Sequence, residues 1–452
     1  MNRKTFIKNS SLALAGSLLA PHWSCTPKKE EMKEKSIELR TNWAGNYTYK
    51  AENLHSPTSV EEIQELVKSL DKQKALGSTH CFNNIADSPK NQISLKGLNK
   101  IVEIDEESMT LTVESGARYG DFSAELHEKG YALHNLASLP HITVVGACAT
   151  ATHGSGVKNG NLATAVKAVE LIKPNGELVN IDRGHPDFNA VVVGLGAFGV
   201  ITKISLEMQK TFEVRQDIFL DLPLESVAQS FDEIMSSGYS VSLFTDWMDK
   251  KVSEVWVKRR MDENSVELGA DFYGATAATK NLHPIKELSA ESCSEQMGVP
   301  GPWYNRLPHF KMGFTPSAGD ELQSEYFVPR ENAVEAIMAV EKMKDKINPH
   351  LMITEIRAIA ADNFWMSPCY QKDCIAIHFT WQPKPTEVLG LLPEIEETLA
   401  PFNVKPHWGK LFKLNPEVLH QRYEKYNDFL ALAKAYDPEG KFRNAYLDLN
   451  IY

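Results

Sequence analysis

The sequence predicts an α+β fold built in more than one domain. Three observations carry that prediction: a length of 452 residues, short strand and helix patterns interspersed through the first half, and longer segments after about residue 209. A chain this long exceeds what one core ordinarily holds, so two or three domains are expected, with a boundary near residue 211. Composition agrees, at 42% hydrophobic and 24% charged residues, with an ordinary globular protein. No run approaches the roughly 20 apolar residues of a spanning helix. The formal charge is -11 and no Lys/Arg stripe with interleaved aromatics occurs, so nucleic acid is excluded as an expected partner.

Residues 1–35 stand apart. "MNRKTFIKNSSLALAGSLLAPHWSC" has a basic start, a short apolar centre from Leu12 to Ala20, and small residues beyond, which is the pattern of an export signal. Arg3 to Lys8 resembles a twin-arginine signal with Lys4 in place of the second arginine. Ser24-Cys25 resembles a lipoprotein processing site, although His22 and Trp23 depart from it. The expectation is an exported protein, periplasmic or held at the membrane only through a lipid on Cys25. "KKEEMKEK", Lys28 to Lys35, reads as a solvated tether. The other cysteines, Cys81, Cys148, Cys293, Cys369 and Cys374, show no zinc spacing, so no metal is expected. Cys369 and Cys374 are near enough in sequence to leave a disulfide open.

Beyond the tether the elements follow in order. "SPTSVEEIQELVKSL" carries a capping-box pattern at Thr58 and Glu61, with Val60, Ile63, Val67 and Leu70 on one helical face. Lys74 to Leu76 form a brief strand entering Gly77 and His80. "KIVEIDEESMTLTVESG" is a hairpin turning at Asp105 to Ser108, and "RYGDFSAELHEKG" a helix that Gly130 ends. Asn175-Gly176 turns a second hairpin in "VELIKPNGELVNI". Later come a strand in "YSVSLFTDW", a Gly/Pro-rich loop around "MGVPGPWYNRLPHF", and a strand then a helix in "ELQSEYFVPRENAVEAIMAVEKMK".

Four features carry chemistry. Gly194 to Gly199 spells GxGxxG, but Val200 to Glu207 is β-branched and alternating. No helix N-terminus follows to hold a pyrophosphate, so a dinucleotide fingerprint is rejected and the glycines are assigned to a tight turn or a close ligand approach. Ala147 to Gly160 is rich in small residues and reads either as a nest of backbone amides or as a flexible loop. In "MITEIRAIA" the strand period places Glu355 and Arg357 on one face, and in "CIAIHFTW" it does so for His378 and Thr380. Taken alone, each polar face reads first as an exposed sheet face or a salt bridge. "KPHWGKLF" adds His407 and Lys410 beside an aromatic.

The ordered set "NWAGN", "GSTHCFN", "NLASLPHITVVGACATATHGSG", "LGAFGVITKISL", "VSLFTDW", "GVPGPW", "ELQSEY", "EIR", "HFTW" and "PHWGK" resembles bacterial alditol oxidases from about Asn42 to the C-terminus. These belong to the vanillyl-alcohol-oxidase flavoprotein superfamily, whose sugar-1,4-lactone oxidases share the C-terminal domain type. The resemblance implies a two-subdomain PCMH-type FAD-binding domain over 36–211. It implies an α+β substrate-binding domain on an antiparallel sheet over 212–452.

The resemblance also implies roles. His80 matches the histidine joined covalently to FAD, with Thr79 standing where the family often has Gly and Cys81 where Ser is common. Ala75, Leu76, Gly77, Ser78, Thr79, His80, Cys81, Ala137, Ser138, Thr143, Gly146, Thr150, Thr152, His153, Gly154, Val200 and His407 match cofactor positions. Ser138, Gln323, Glu355, Arg357, Thr380 and Lys410 match polyol positions, with Lys410, Arg357 and His378 as catalytic candidates. The cations suit a developing alkoxide, and the proton acceptor is left open between Lys410 and His378. The implied reaction takes a terminal polyol hydroxyl to the aldose and reduces O2 to hydrogen peroxide, in a protein expected to be a monomer. The alternatives are an aldonolactone oxidoreductase and a polyol-binding lipoprotein without catalysis.

Overall fold

The structure is a computed structural model that describes residues 40–263, 268–314 and 319–452. The export pattern, Cys25 and the tether lie outside the described residues.

Residues 40–452 form one compact unit. Near its start, strands Asn53–His55, Asn91–Ser94 and Gln73–Leu76 pair in parallel. The two expected hairpins, Ile101–Asp105 with Thr110–Glu114 and Val166–Ile172 with Leu178–Asp182, are joined by strand Val200–Glu207 into a five-stranded antiparallel sheet. The GxGxxG stretch therefore does lead into a strand. Gly196 and Gly199 hold φ of +66° and +133° there, and a Cβ on Gly199 would stand 2.1 Å from the Ile172 carbonyl. These are a turn and a tight backbone crossing, which only glycine permits.

Helix Val60–Ser69 buries Ile63 and Val67 as its periodicity requires, but its N-cap is Ser59, one residue later than expected, and the reciprocal capping box does not form. Ser59, in extended backbone, accepts from the Glu62 N–H, and the Glu62 carboxylate returns to the Thr58 N–H at 2.7 Å. The Ala147 to Gly160 stretch is not all loop, because its first residues complete helix Val144–Ala149.

A ten-stranded sheet begins at Glu213. Its central order runs Glu213–Pro223, Lys251–Arg260, Ser240–Thr245, Leu351–Ile359, Cys374–Trp381 and Leu322–Pro329. One face packs Val255, Val257, Ile356, Ile377 and Val328 against helices Leu224–Met235, Ala333–Glu341 and Pro385–Leu399. Because side chains alternate along a strand, Glu355, Arg357, His378 and Thr380 must all turn to the other face. That face is buried and not exposed to solvent, since all four residues are almost inaccessible. The C-terminal helices return to the first core, where Phe429, Tyr446 and Leu447 pack with Leu111, Val166 and Phe198. Cys369 and Cys374 are both free thiols.

Candidate active site

Strand register brings the site together. Gln323 lies opposite Thr380 and Glu325 opposite His378, while on its other side His378 is opposite Glu355. Period two then stacks Gln323 with Glu325, Glu355 with Arg357 and His378 with Thr380, three polar pairs side by side on one face. The chain segment after Pro406 follows the edge of the Leu322–Pro329 strand, with His407 N–H donating to Glu325 O at 3.0 Å and Leu411 N–H to Gln323 O at 2.9 Å. This places Lys410 against the same cluster.

Glu325 is the hub of the cluster. Lys410 Nζ is 2.6 Å from its Oε2 and Arg357 Nη2 2.6 Å from its Oε1. His153 Nε2 stands 3.1 Å from Oε1. Burial opposes the charge, but Lys410 and Arg357 outweigh it and hold the carboxyl well below the usual range. Burial pulls Lys410 below its ordinary value, against the pull of Glu325. Lys410 also donates to His378 Nδ1 at 2.6 Å. His378 Nε2 faces Thr380 Oγ1 at 3.1 Å, and burial followed by the Lys410 charge pushes the ring down to about 4. Arg357 Nη1 reaches Ser138 Oγ at 3.3 Å, tying the sheet to the segment preceding helix Val144–Ala149.

The His80 corner is clamped from both sides. Asn42 donates to the Cys81 carbonyl at 2.9 Å, Asn46 to the Phe82 carbonyl at 2.8 Å, and Trp43 N–H to the Thr79 carbonyl at 2.9 Å. Phe82 N–H binds Gly409 O at 2.8 Å, while Asn83 Nδ2 bridges the Trp408 and Lys410 carbonyls. The imidazole lies against Trp43, with centroids 4.5 Å apart. Its Nε2 is buried with no hydrogen-bond partner, and burial pushes the ring down to about 3. Thr79 holds φ of +59°, the region that favours the glycine often found there in the family.

One cavity joins these parts. It encloses about 1890 Å³ of space, open mouth included. Its lining runs from Lys74 and the Gly194–Gly199 turn, past His80 and Thr143, to Gln323, Glu355 and Lys410. Every residue that the sequence associated with cofactor, substrate or catalysis lines it, except Gly154 and Val200. Val200 points into a separate core with Ile172 and Phe442, leaving its neighbours Gly199 and Ile201 on the cavity side. Gly154 is pressed against Leu136 O and the Asn135 amide, where a Cβ would stand 2.4 Å and 2.6 Å away.

The residues fit a flavin dinucleotide. A Cβ on Gly77 or Gly146 would meet Thr143 Oγ1 at 2.5 Å or 2.7 Å, so the wall beside His80 requires glycine at both points. The orphaned His80 nitrogen is a buried polar atom in want of a partner.

Sequence reasoning missed Glu325, His309 and Lys258. Glu325 sits two residues beyond Gln323 in "ELQSEY", so the strand period that singled out Glu355 with Arg357 would have found it. His309 and Lys258 carried no such signal, since only the tertiary fold brings His309 to Glu355 and Lys258 to His309.

A family model described as FAD binding domain matches residues 52–182, and one described as D-arabinono-1,4-lactone oxidase matches 320–450. An alditol oxidase from a Streptomyces species is 44% identical over 410 residues, covering 90% of this chain and 97% of the relative. The chain belongs to the alditol oxidase family. As a member it is an FAD-dependent oxidoreductase with a PCMH-type fold, acting on a small molecule. More distant relatives include an L-gulono-1,4-lactone dehydrogenase of Mycobacterium tuberculosis, 27% identical over 90% of this chain and 97% of that protein. Mouse L-gulonolactone oxidase is 25% identical over 92% of this chain and 99% of its own length. Among solved structures, cholesterol oxidase from B. sterolicum superposes with a TM-score of 0.74 at 14% identity, covering 92% of this chain and 96% of that one, and shares the fold.

Proposed function

We propose that this alditol oxidase family member oxidises the terminal hydroxyl of a sugar alcohol such as xylitol or sorbitol to the aldose, with O2 as electron acceptor and hydrogen peroxide as product. The observation that carries the reading is a row of polar groups in the same cavity as His80, the buried Gln323, Glu355, Arg357 and Thr380 with the partly exposed Lys410 beside them. A site whose buried polar atoms need hydroxyl partners rejects substrates that lack them.

FAD, when bound, would supply the hydride acceptor and the route for electrons to oxygen. His80, with its free ring nitrogen in the wall, is the residue that would hold it covalently. The chain's own side chains handle the proton and the charge. Lys410 and His378 share one 2.6 Å contact and are both held below their ordinary pKa, so the pair is the acceptor for the hydroxyl proton. Arg357, locked by Glu325, keeps a fixed cation beside the forming alkoxide. Ser138, Gln323, Glu355 and Thr380 meet the neighbouring hydroxyls.

Residues 36–211 would then chiefly hold FAD and 212–452 the substrate. Export, either to the periplasm or to an anchor through a lipid on Cys25, is supported by the N-terminal pattern alone, and a monomer only by the family resemblance. The match of 320–450 to the lactone-oxidase model favours an aldonolactone as the second reading. Turnover of the purified flavoprotein on alditols and 1,4-lactones separates the two, and a strict lactone preference overturns the first.

A further inference from the structure

His309 is outside the residues assigned above, yet it touches two of them. Its Nε2 is 2.7 Å from Glu355 Oε1, and the backbone N–H groups of His309 and Phe310 both donate to the Ser138 carbonyl, at 3.0 Å and 3.2 Å. Its Nδ1 faces Lys258 Nζ at 3.1 Å. The ring is wedged edge-on between Trp256 and Phe244, with centroid separations of 5.1 Å and 5.5 Å. His309 and Lys258 are both buried.

Counting protons fixes the tautomer. Arg357 and His309 overcome the burial of Glu355 and hold its carboxyl well below the usual range, so Glu355 only accepts. Nε2 must therefore carry a hydrogen. Burial, then the Lys258 charge, pushes His309 down to about 4, which leaves Nδ1 bare. Lys258 has three acceptors around it: Leu307 O at 2.5 Å, Pro308 O at 3.3 Å and that bare Nδ1. Burial pulls this lysine down to about 7, but an ammonium supplies three N–H groups for three acceptors.

The consequence falls on Glu355. Oε1 takes the His309 bond and lies 3.5 Å from Arg357 Nε. Among the described residues, Oε2 carries no protein hydrogen bond. We propose that His309, its tautomer fixed by Lys258, is a positioning residue that occupies Glu355 Oε1 and so presents Oε2 to a substrate hydroxyl. The proposal rests on the alditol reading for the identity of that hydroxyl. Lys258 acts at one further remove, touching neither Glu355 nor the substrate.

The test uses holoenzyme variants His309→Gln, His309→Leu, Lys258→Met and the Lys258→Met/His309→Gln double. Measured are KM, kcat, the xylitol Kd from the flavin absorbance change, and flavin content. His309→Leu is expected to raise KM and Kd by roughly 10- to 100-fold, with a smaller fall in kcat. His309→Gln, which retains an N–H near the Nε2 position, should stay within a few-fold of wild type. Lys258→Met should raise KM in the histidine background by freeing the ring to offer a lone pair to the carboxylate, and should add nothing to His309→Gln. The proposal is overturned if His309→Leu leaves KM unchanged, if Gln and Leu behave alike, or if KM, kcat and flavin content collapse together. Should Lys258→Met fail to fold, the Gln and Leu pair still decides. If the wild type turns over lactones and no alditol, the functional reading fails separately, and the same variants are then scored on the lactone.

Discussion

Lys410 Nζ and His378 Nδ1 stand 2.6 Å apart in the cavity, with Glu325 Oε2 also 2.6 Å from the ammonium and 3.6 Å from that ring nitrogen. The lysine is thus held between a base that can share its proton and an anion that resists its loss. Deprotonation of the pair readies it to accept the hydroxyl proton, so kcat/KM should rise with pH and level off below the ordinary lysine value of 10.5. Lys410→Met should abolish that limb and cost about 10²–10⁴ in kcat. A pH–rate profile unchanged by this substitution would assign the proton elsewhere.

Glu325→Gln makes a signed prediction of its own. The Glu325 charge raises the Lys410 pKa, so removing it should move the rising limb of kcat/KM to lower pH. It also leaves Lys410 and Arg357 without their shared anion, and breaking a buried pair costs about 3–5 kcal/mol. Thermal denaturation and the pH–rate profile of one variant check both effects.

His80→Ala should fold and leave flavin extractable by acid precipitation, because the clamp on this loop uses the carbonyls of Thr79, Cys81 and Phe82 and not the imidazole. Wild-type protein should retain flavin fluorescence on a denaturing gel. Fluorescence persisting in the variant would place the attachment at another residue.

Acid should destabilise the fold through its buried histidines, offset only in part by Glu254 and Asp362, whose carboxyls burial raises to about 7 and about 6. His134, His283, His309 and His378 are each pushed by burial to about 4 from an ordinary 6.5. Between those values the unfolded chain binds more protons than the native one, so stability present above pH 6.5 is lost as pH falls toward 4. Each group contributes at most about 1.4 kcal/mol per pH unit. The melting temperature should fall steadily across that window, and a flat response would mean that these rings are charged in the native state.

Thr79→Gly should raise the melting temperature. A β-branched residue at φ of +59° is strained, by roughly 1–2 kcal/mol, against about 0.5–1 kcal/mol for glycine's greater freedom when unfolded. A lower melting temperature would show that the threonine side chain contributes more than the strain costs.

Much of this site was legible because strands expose it by period two. Glu355 with Arg357 and His378 with Thr380 were paired correctly from spacing, and the strand after Gly199 ruled out a dinucleotide fingerprint. Burial was not legible: a polar strand face looks the same in sequence whether water or a second segment covers it, and here His309 and the Ser138 segment cover it. The N-cap slipped by one residue because Thr58 and Ser59 are chemically equivalent caps until the backbone selects one. His309 reaches Glu355 from a loop with no regular pattern and Lys258 reaches His309 from strand Lys251–Arg260, so their partnership exists only in the fold.

The central claim is that the row of polar groups beside His80 serves a sugar alcohol. Its most direct test is aerobic turnover of the purified flavoprotein on xylitol, sorbitol and a set of sugar 1,4-lactones, with hydrogen peroxide and aldose both quantified. The account predicts that an alditol is the best substrate and yields aldose and peroxide in equal amounts. Turnover confined to lactones, or alditol oxidation with no peroxide in air, would contradict it.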